Sequence, residues 1–185
     1  MQKLKIKINA FQKKLIAILL SVLTLFAVCA CSKAEPRDET KTDDYTPDYG
    51  ELYYASGDTK FGIMDPAEDV LAALGEPVNG TFESDSCAYQ GKDYFYYYDG
   101  FEVMVNDVDG VKRITGITVA DDTVQTPQGL KIGMKLEDAQ ALLTGEFKQV
   151  GDVYKYTQGS TVLKLAVGDD GTLTAIEYAV AANDK

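Results

Sequence analysis

The chain of 185 residues has no histidine, no tryptophan, three cysteines and a single long apolar run. Each shortage excludes something. Without histidine, the usual base for a serine or cysteine nucleophile and the commonest zinc ligand are both missing. Two of the cysteines, Cys29 and Cys31, sit at the end of the apolar run, so Cys87 is alone in the body and cannot close an internal disulfide there. A lone cysteine of this kind is expected as a small buried residue. The sequence holds no phosphate loop, no Cys-x-x-Cys and no Gly-x-Ser-x-Gly. Carboxylate pairs are always available among 29 acids, so their presence does not indicate a glycosidase. These shortages point to a protein that is not an enzyme and uses no cofactor or metal.

What is present begins with a leader. Residues 1–14 carry Lys3, Lys5, Lys7, Lys13 and Lys14 and no acid, and an apolar stretch of 16 residues follows from Leu15 to Ala30. That is short of the roughly 20 residues a membrane-spanning helix needs, and it matches the charged and apolar regions of an export signal. Val28, Cys29 and Ala30 then precede Cys31, and the combination resembles a bacterial lipoprotein lipobox, departing from it at Cys29, where a smaller residue is typical. The resemblance implies a signal peptide over 1–30 and a diacylglyceryl group on the thiol of Cys31. Two acyl chains suffice for stable anchoring. The implied location is the outer face of a cell membrane.

Removing the leader sharpens the charge. It takes five of the 18 basic residues and none of the 29 acids, leaving 13 against 29, a net −16 where the whole chain has −11. Such a body is repelled by phosphate backbones and anionic headgroups, which excludes nucleic acid as a partner and leaves the lipid as the membrane contact. Residues 31–50 are polar, contain two prolines and lack apolar periodicity, so a flexible acidic tether is expected, with a reach of roughly 25 Å.

Beyond the tether an internal repeat appears at an offset of 70: Ile63–Glu76 matches Gly133–Glu146. Each copy predicts a short amphipathic helix. In the first, Asp65 is placed to cap, Pro66 suits the first turn, and Val70, Leu71 and Leu74 form the apolar stripe. Gly75 and Gly145 stand where each helix should stop. Alternating patterns follow. Tyr94–Tyr98, Asp99-Gly100 and Phe101–Val105 predict a hairpin pairing Tyr96 with Val103 and Tyr94 with Val105. In the second copy the alternation predicts Tyr156 opposite Thr161 and Tyr154 opposite Leu163, with Lys155, Val162 and Lys164 on the outer face. Asn106–Gly110 and Gly168–Gly171 lack the alternating ligands and terminal Glu of a calcium loop and read as hairpin turns. The expected fold class is therefore α+β: two tandem repeats, over 51–122 and 123–185, each a short helix packed on an antiparallel sheet of about four strands.

The paired helix–hairpin modules, entered through Gly62-Ile63-Met64 and Ile132-Gly133-Met134, resemble β-lactamase-inhibitor-protein-like domains. They are also similar to small lipoproteins of outer-membrane assembly. Through Ser86–Asp93 and the Tyr-rich strand after it, the chain also resembles tandem-repeat lipoproteins of Gram-positive anaerobes. The resemblance implies helices on one side of a sheet and a binding surface on the other. It carries no β-lactamase target, because no inhibitory loop matches residue by residue.

With Tyr94, Tyr96, Val103 and Val105 turned to the core, the opposite face of the first hairpin carries Phe95, Tyr97, Glu102 and Met104. Exposed aromatic residues on a rigid sheet suit a protein interface. These four are the candidate binding face, with an extracellular protein or peptide as the expected partner; the competing expectation is that another segment covers them as core.

Overall fold

The structure is a computed structural model and describes residues 46–184, all within one compact unit, Asp44–Lys185. The expected leader, the lipidation site Cys31 and the tether up to residue 45 lie outside the described residues.

The chain first forms a small hairpin, β1 (Tyr54–Ser56) and β2 (Thr59–Phe61), around Gly57 with φ +57°. Helix α1 (Ala67–Leu74) follows, then four strands, β3 (Thr81–Asp85), β4 (Gln90–Tyr97), β5 (Phe101–Val108) and β6 (Val111–Val119). Helix α2 (Leu136–Ala141) opens the second half, followed by β7 (Lys148–Val150), β8 (Val153–Gln158), β9 (Thr161–Val167) and β10 (Leu173–Val180). A single turn of 3-10 helix, Ala181–Asn183, ends the described chain.

The expected α+β arrangement of two helix-on-sheet repeats is not what forms. Strands β3 to β10 make one antiparallel sheet of eight strands in the order β3-β4-β5-β6-β10-β9-β8-β7, so the architecture is mostly β. The seam is the pairing of β6 with β10, from Ile176 opposite Val119 to Ala179 opposite Gly116. Two separate sheets would each leave a long apolar strand unpaired at an edge; the seam removes both edges. The helices are also too short to form a layer. Eight residues of α1 span about 12 Å, against roughly 38 Å across eight strands. Cover for the inner face comes equally from β1–β2, whose Tyr54 and Phe61 are buried with Leu52 and Ile63 against Phe101, Val103, Ile117, Ile176 and Tyr178. The Gly57-Asp58 turn and the alternation around it are the sequence signals for that hairpin.

Within the sheet, the first hairpin has the expected register: Tyr94 faces Val105 and Tyr96 faces Val103. The second is shifted by two residues. Tyr156 faces Leu163, Tyr154 faces Leu165 and Gln158 faces Thr161, because Gly159 (φ +58°) and Ser160 alone make the turn. A slip of two keeps every side chain on its expected face. Val162, expected outside, is fully buried all the same. The two Asp-Gly segments are turns: Asp109 and Gly110, both at positive φ, join β5 to β6, and Asp170 Oδ1 accepts from Thr172 N at 3.0 Å at the start of β10.

Helix ends differ from expectation in instructive ways. Asp65 caps nothing in α1. Its Oδ2 accepts from Gly62 N at 2.9 Å and from the hydroxyl of Tyr49 at 2.5 Å, so it closes the loop before the helix. Tyr49, at the end of the expected tether, is thus held on the body. Gly75 does stop α1, with φ +75° and its N–H on Leu71 O at 3.0 Å. Helix α2 ends earlier, at Ala141, and Gly145 serves a different purpose: a Cβ there would lie 2.0 Å from the ring of Tyr156.

Candidate functional site

The sheet has one face packed on the hairpin and helices and one turned away from them. Side chains on the latter fall into rows that cross the strands. One row runs Phe82, Phe95, Met104, Gly116, Ala179, Val162, Thr157. The next runs Tyr97, Glu102, Thr118, Glu177, Lys164, Lys155, Lys148.

All four residues of the expected binding face lie together at the β4–β5 end of these rows. Phe95 stands opposite Met104 and Tyr97 opposite Glu102, and all four are half-buried. The second half of the chain continues the sheet sideways. Phe82 on the edge strand β3 joins them: it is 56% exposed, and its ring centroid is 6.0 Å from that of Phe95. The sequence reading missed Phe82. Its signal is the polar alternation of Thr81, Glu83 and Asp85 around a single aromatic residue, the pattern of an edge strand with one apolar position facing outward.

Two local features shape this surface. Gly116 leaves room for Met104, whose Cβ and Cε lie 3.2 Å from where a Cβ on Gly116 would sit, so the methionine lies down across β6. Beside it, β6 bulges at Thr115, which donates its hydroxyl to Asn106 Oδ1, while Asn106 Nδ2 donates to Asp93 Oδ1 and to Lys92 O. Asn106 and Thr115 are buried, and this satisfied network ties β4, β5 and β6 together beside the patch.

Charge is distributed unevenly along the second row. Lys164 Nζ is 3.3 Å from Glu177 Oε1 and 3.8 Å from Asp184 Oδ1, and Lys155 Nζ is 2.8 Å from the same Asp184 oxygen. The chain end reaches these lysines by turning back after β10, with Ala181 N on Ser160 O at 2.8 Å and Asn183 donating to the Tyr89 hydroxyl. Glu102 has no such partner among the described residues. Burial, and secondly the charge of Glu177, raise its carboxyl above the usual glutamate range.

Cys87 is exposed in the loop between β3 and β4, contrary to the expectation of a buried small residue; the strand ends before it, and no core strand needs its side chain. Two concavities flank the sheet, a groove of about 310 Å³ along Ala88–Gln90 and Asp107–Gly110 and a shallow one of about 320 Å³ beside α2. Among the described residues, no three His, Cys, Asp or Glu side chains are grouped to hold a metal ion. No family model matches the chain, and neither the curated proteins nor the solved structures yield a match.

Proposed function

We propose that this protein is a binding module without catalytic chemistry, held at the outer face of a bacterial cell membrane by lipid on Cys31, which engages an extracellular protein or peptide through its open sheet face. One observation carries the reading. Phe82, Phe95, Tyr97 and Met104 place aromatic and thioether surface on a rigid sheet, outside the core, with Phe82 more than half exposed. Exposed apolar patches of this kind mark interaction sites, and aromatic residues dominate the energetics of such contacts. The absence of histidine from the sequence supports a surface that binds and does not react.

The test uses intact cells. The paired substitution Phe95→Ser and Tyr97→Ser should abolish a specific crosslinked partner while leaving the melting transition in place, because both side chains lie outside the core. A crosslinking pattern unchanged by the pair would refute the binding reading. Cys31→Ser tests the anchor separately: the variant should leave the membrane fraction, and retention there would refute lipidation.

A further inference from the structure

We infer that Glu102, with Tyr97 and Met104 beside it, is a receptor for one cationic side chain, the Lys or Arg of an extended basic segment on the partner protein. This rests on the reading of the open face as a binding surface and adds the chemistry of what binds there.

Glu102 stands directly opposite Tyr97 on β4 and Thr118 on β6, with Met104 two residues along on the same face. Directly opposed side chains in an antiparallel pair have Cβ atoms about 5 Å apart. The carboxylate is therefore flanked by a phenol ring, a methyl-bearing hydroxyl side chain and a thioether. It is half-buried, and among the described residues no cation or hydrogen-bond donor meets it. The lysines of its own row do not serve: Lys164 is taken by Glu177 and Asp184, and Lys155 by Asp184.

A carboxylate partly withdrawn from water with no cation is unfavourable, and a neutral residue at that position would suit a strand better. An arriving ammonium or guanidinium reverses the balance. It donates a charge-assisted hydrogen bond to Glu102 and meets the face of the Tyr97 ring, while its alkyl stem lies over Met104. The net −16 of the exported body draws positively charged segments toward it from a distance.

The neighbouring row defines what lies beside the cation. Rows on one face of a strand are about 7 Å apart, the distance between residues i and i+2 of an extended peptide. A Lys or Arg over Glu102 therefore places the residue two positions away over Phe95 and Met104, where an apolar side chain fits. The recognised pattern is Lys/Arg-x-apolar in an extended segment.

The chain has four methionines, so ¹³C-methyl spectra of the full-length protein in detergent micelles report Met104 with Met64 and Met134 as internal controls. The probes are the end-blocked peptide Ser-Lys-Thr-Leu-Ser and its Lys→Gln and Lys→Glu versions. The lysine peptide should shift the Met104 methyl saturably, the glutamine version at least about fivefold more weakly and the glutamate version not at all, with the response falling as salt is raised. Glu102→Gln, which keeps the shape of the side chain, should remove the difference between lysine and glutamine peptides without lowering the melting temperature. Equal responses to the lysine and glutamine peptides in the parent protein overturn the inference, as does a lysine preference that survives Glu102→Gln. No response to any peptide overturns it too. On cells, a crosslink lost in the Phe95→Ser, Tyr97→Ser pair but kept in Glu102→Gln leaves the binding reading standing and removes only the cation receptor; a crosslink indifferent to both removes the two together.

Discussion

Tyr156 on β8 donates its hydroxyl to Glu51, which lies 105 positions earlier, immediately before the β1–β2 hairpin. The same carboxylate accepts from Thr144 through Oγ1 at 2.8 Å and through its backbone N at 3.2 Å. The ring of Tyr156 also packs on Phe147, with centroids 5.5 Å apart, and lies over Gly145. One tyrosine thus fastens the segment that leads into β1 to the second half of the sheet.

Gly145→Ala should unfasten it. The new Cβ would sit 2.0 Å from one ring carbon and 2.7 Å from another, and the ring cannot retreat without losing Glu51 and Phe147. Overpacking of this kind costs about 2 kcal/mol. Urea unfolding of the variant should show the lower midpoint, and Gly145→Ala combined with Tyr156→Leu should recover part of the loss. An unchanged midpoint for the single variant would show that the ring moves freely.

Glu51 also gives the fold an acid-labile joint. The hydrogen bond from Tyr156, followed by those from Thr144, holds its carboxyl below the usual glutamate value, with burial opposing the shift. A folded value below the unfolded one means that the unfolded chain binds more protons, so the contribution is present above the unfolded value and is lost as pH falls through the folded one. Glu51 is only partly buried, so solvent screens the contribution to no more than about 1 kcal/mol. Glu51→Gln should lower the melting temperature at pH 7 and match the parent near pH 3. A deficit that stays constant across that range would place the effect in packing alone.

How far the sequence reaches differs between local and distant relations. The alternation Tyr94–Val105 with Asp-Gly between is a local signal, and its register is the observed one, because a two-residue turn leaves few alternatives. The turn at Gly159-Ser160 carries weaker chemistry, and the strands there paired two residues out of place. The β6–β10 seam has no local signature: Val119 and Ile176 look like residues of any buried strand, and nothing in their neighbourhoods says that they meet. The grouping of Phe95, Tyr97, Glu102 and Met104 on one face is legible for the same reason as the hairpin that carries it, while Phe82 lies on a strand with a single apolar outward position. Asp65 and Gly145 show the limit of cap signals. Each is the right residue type near a helix end, and each is held there by a tertiary contact, with Tyr49 in one case and Tyr156 in the other.

Gln128 is the second long-range fastener and gives a sharper stability test. Its Nε2 donates to Glu51 O at 2.7 Å and to Tyr53 O at 2.8 Å, and its Oε1 accepts from the hydroxyl of Tyr178 at 2.6 Å. Burial pushes the Tyr178 hydroxyl far up, so it stays a neutral donor at any ordinary pH. Gln128→Ala strands that buried hydroxyl together with two carbonyls, and should cost about 2–4 kcal/mol. Tyr178→Phe, which leaves one acceptor short, should cost about 1 kcal/mol. In the double variant the hydroxyl is no longer stranded, so its loss should fall short of the sum of the two. Additive losses in a denaturation cycle would mean that the two side chains do not act through their shared bond.

Glu102→Gln should do the opposite of most substitutions in a folded domain and stabilise it. Burial, and then the nearby Glu177, raise the Glu102 carboxyl in the folded state, with Tyr97 and Thr118 facing it across the strands and Lys164 engaged by Glu177. A folded value above the unfolded one means that the folded chain binds more protons, so stability is fully present below the unfolded value and declines as pH rises through the folded one. Glutamine keeps the shape and removes the charge. The variant should therefore melt with the parent near pH 3.5 and above it at pH 7, by about 1–3 °C. This pH trend runs against that of Glu51→Gln, so the two variants serve as controls for each other in one series of melting curves. A variant that melts below the parent at pH 7 would mean that Glu102 is held by a contact that stabilises the fold, and that the unpaired carboxylate is no strain on the free protein.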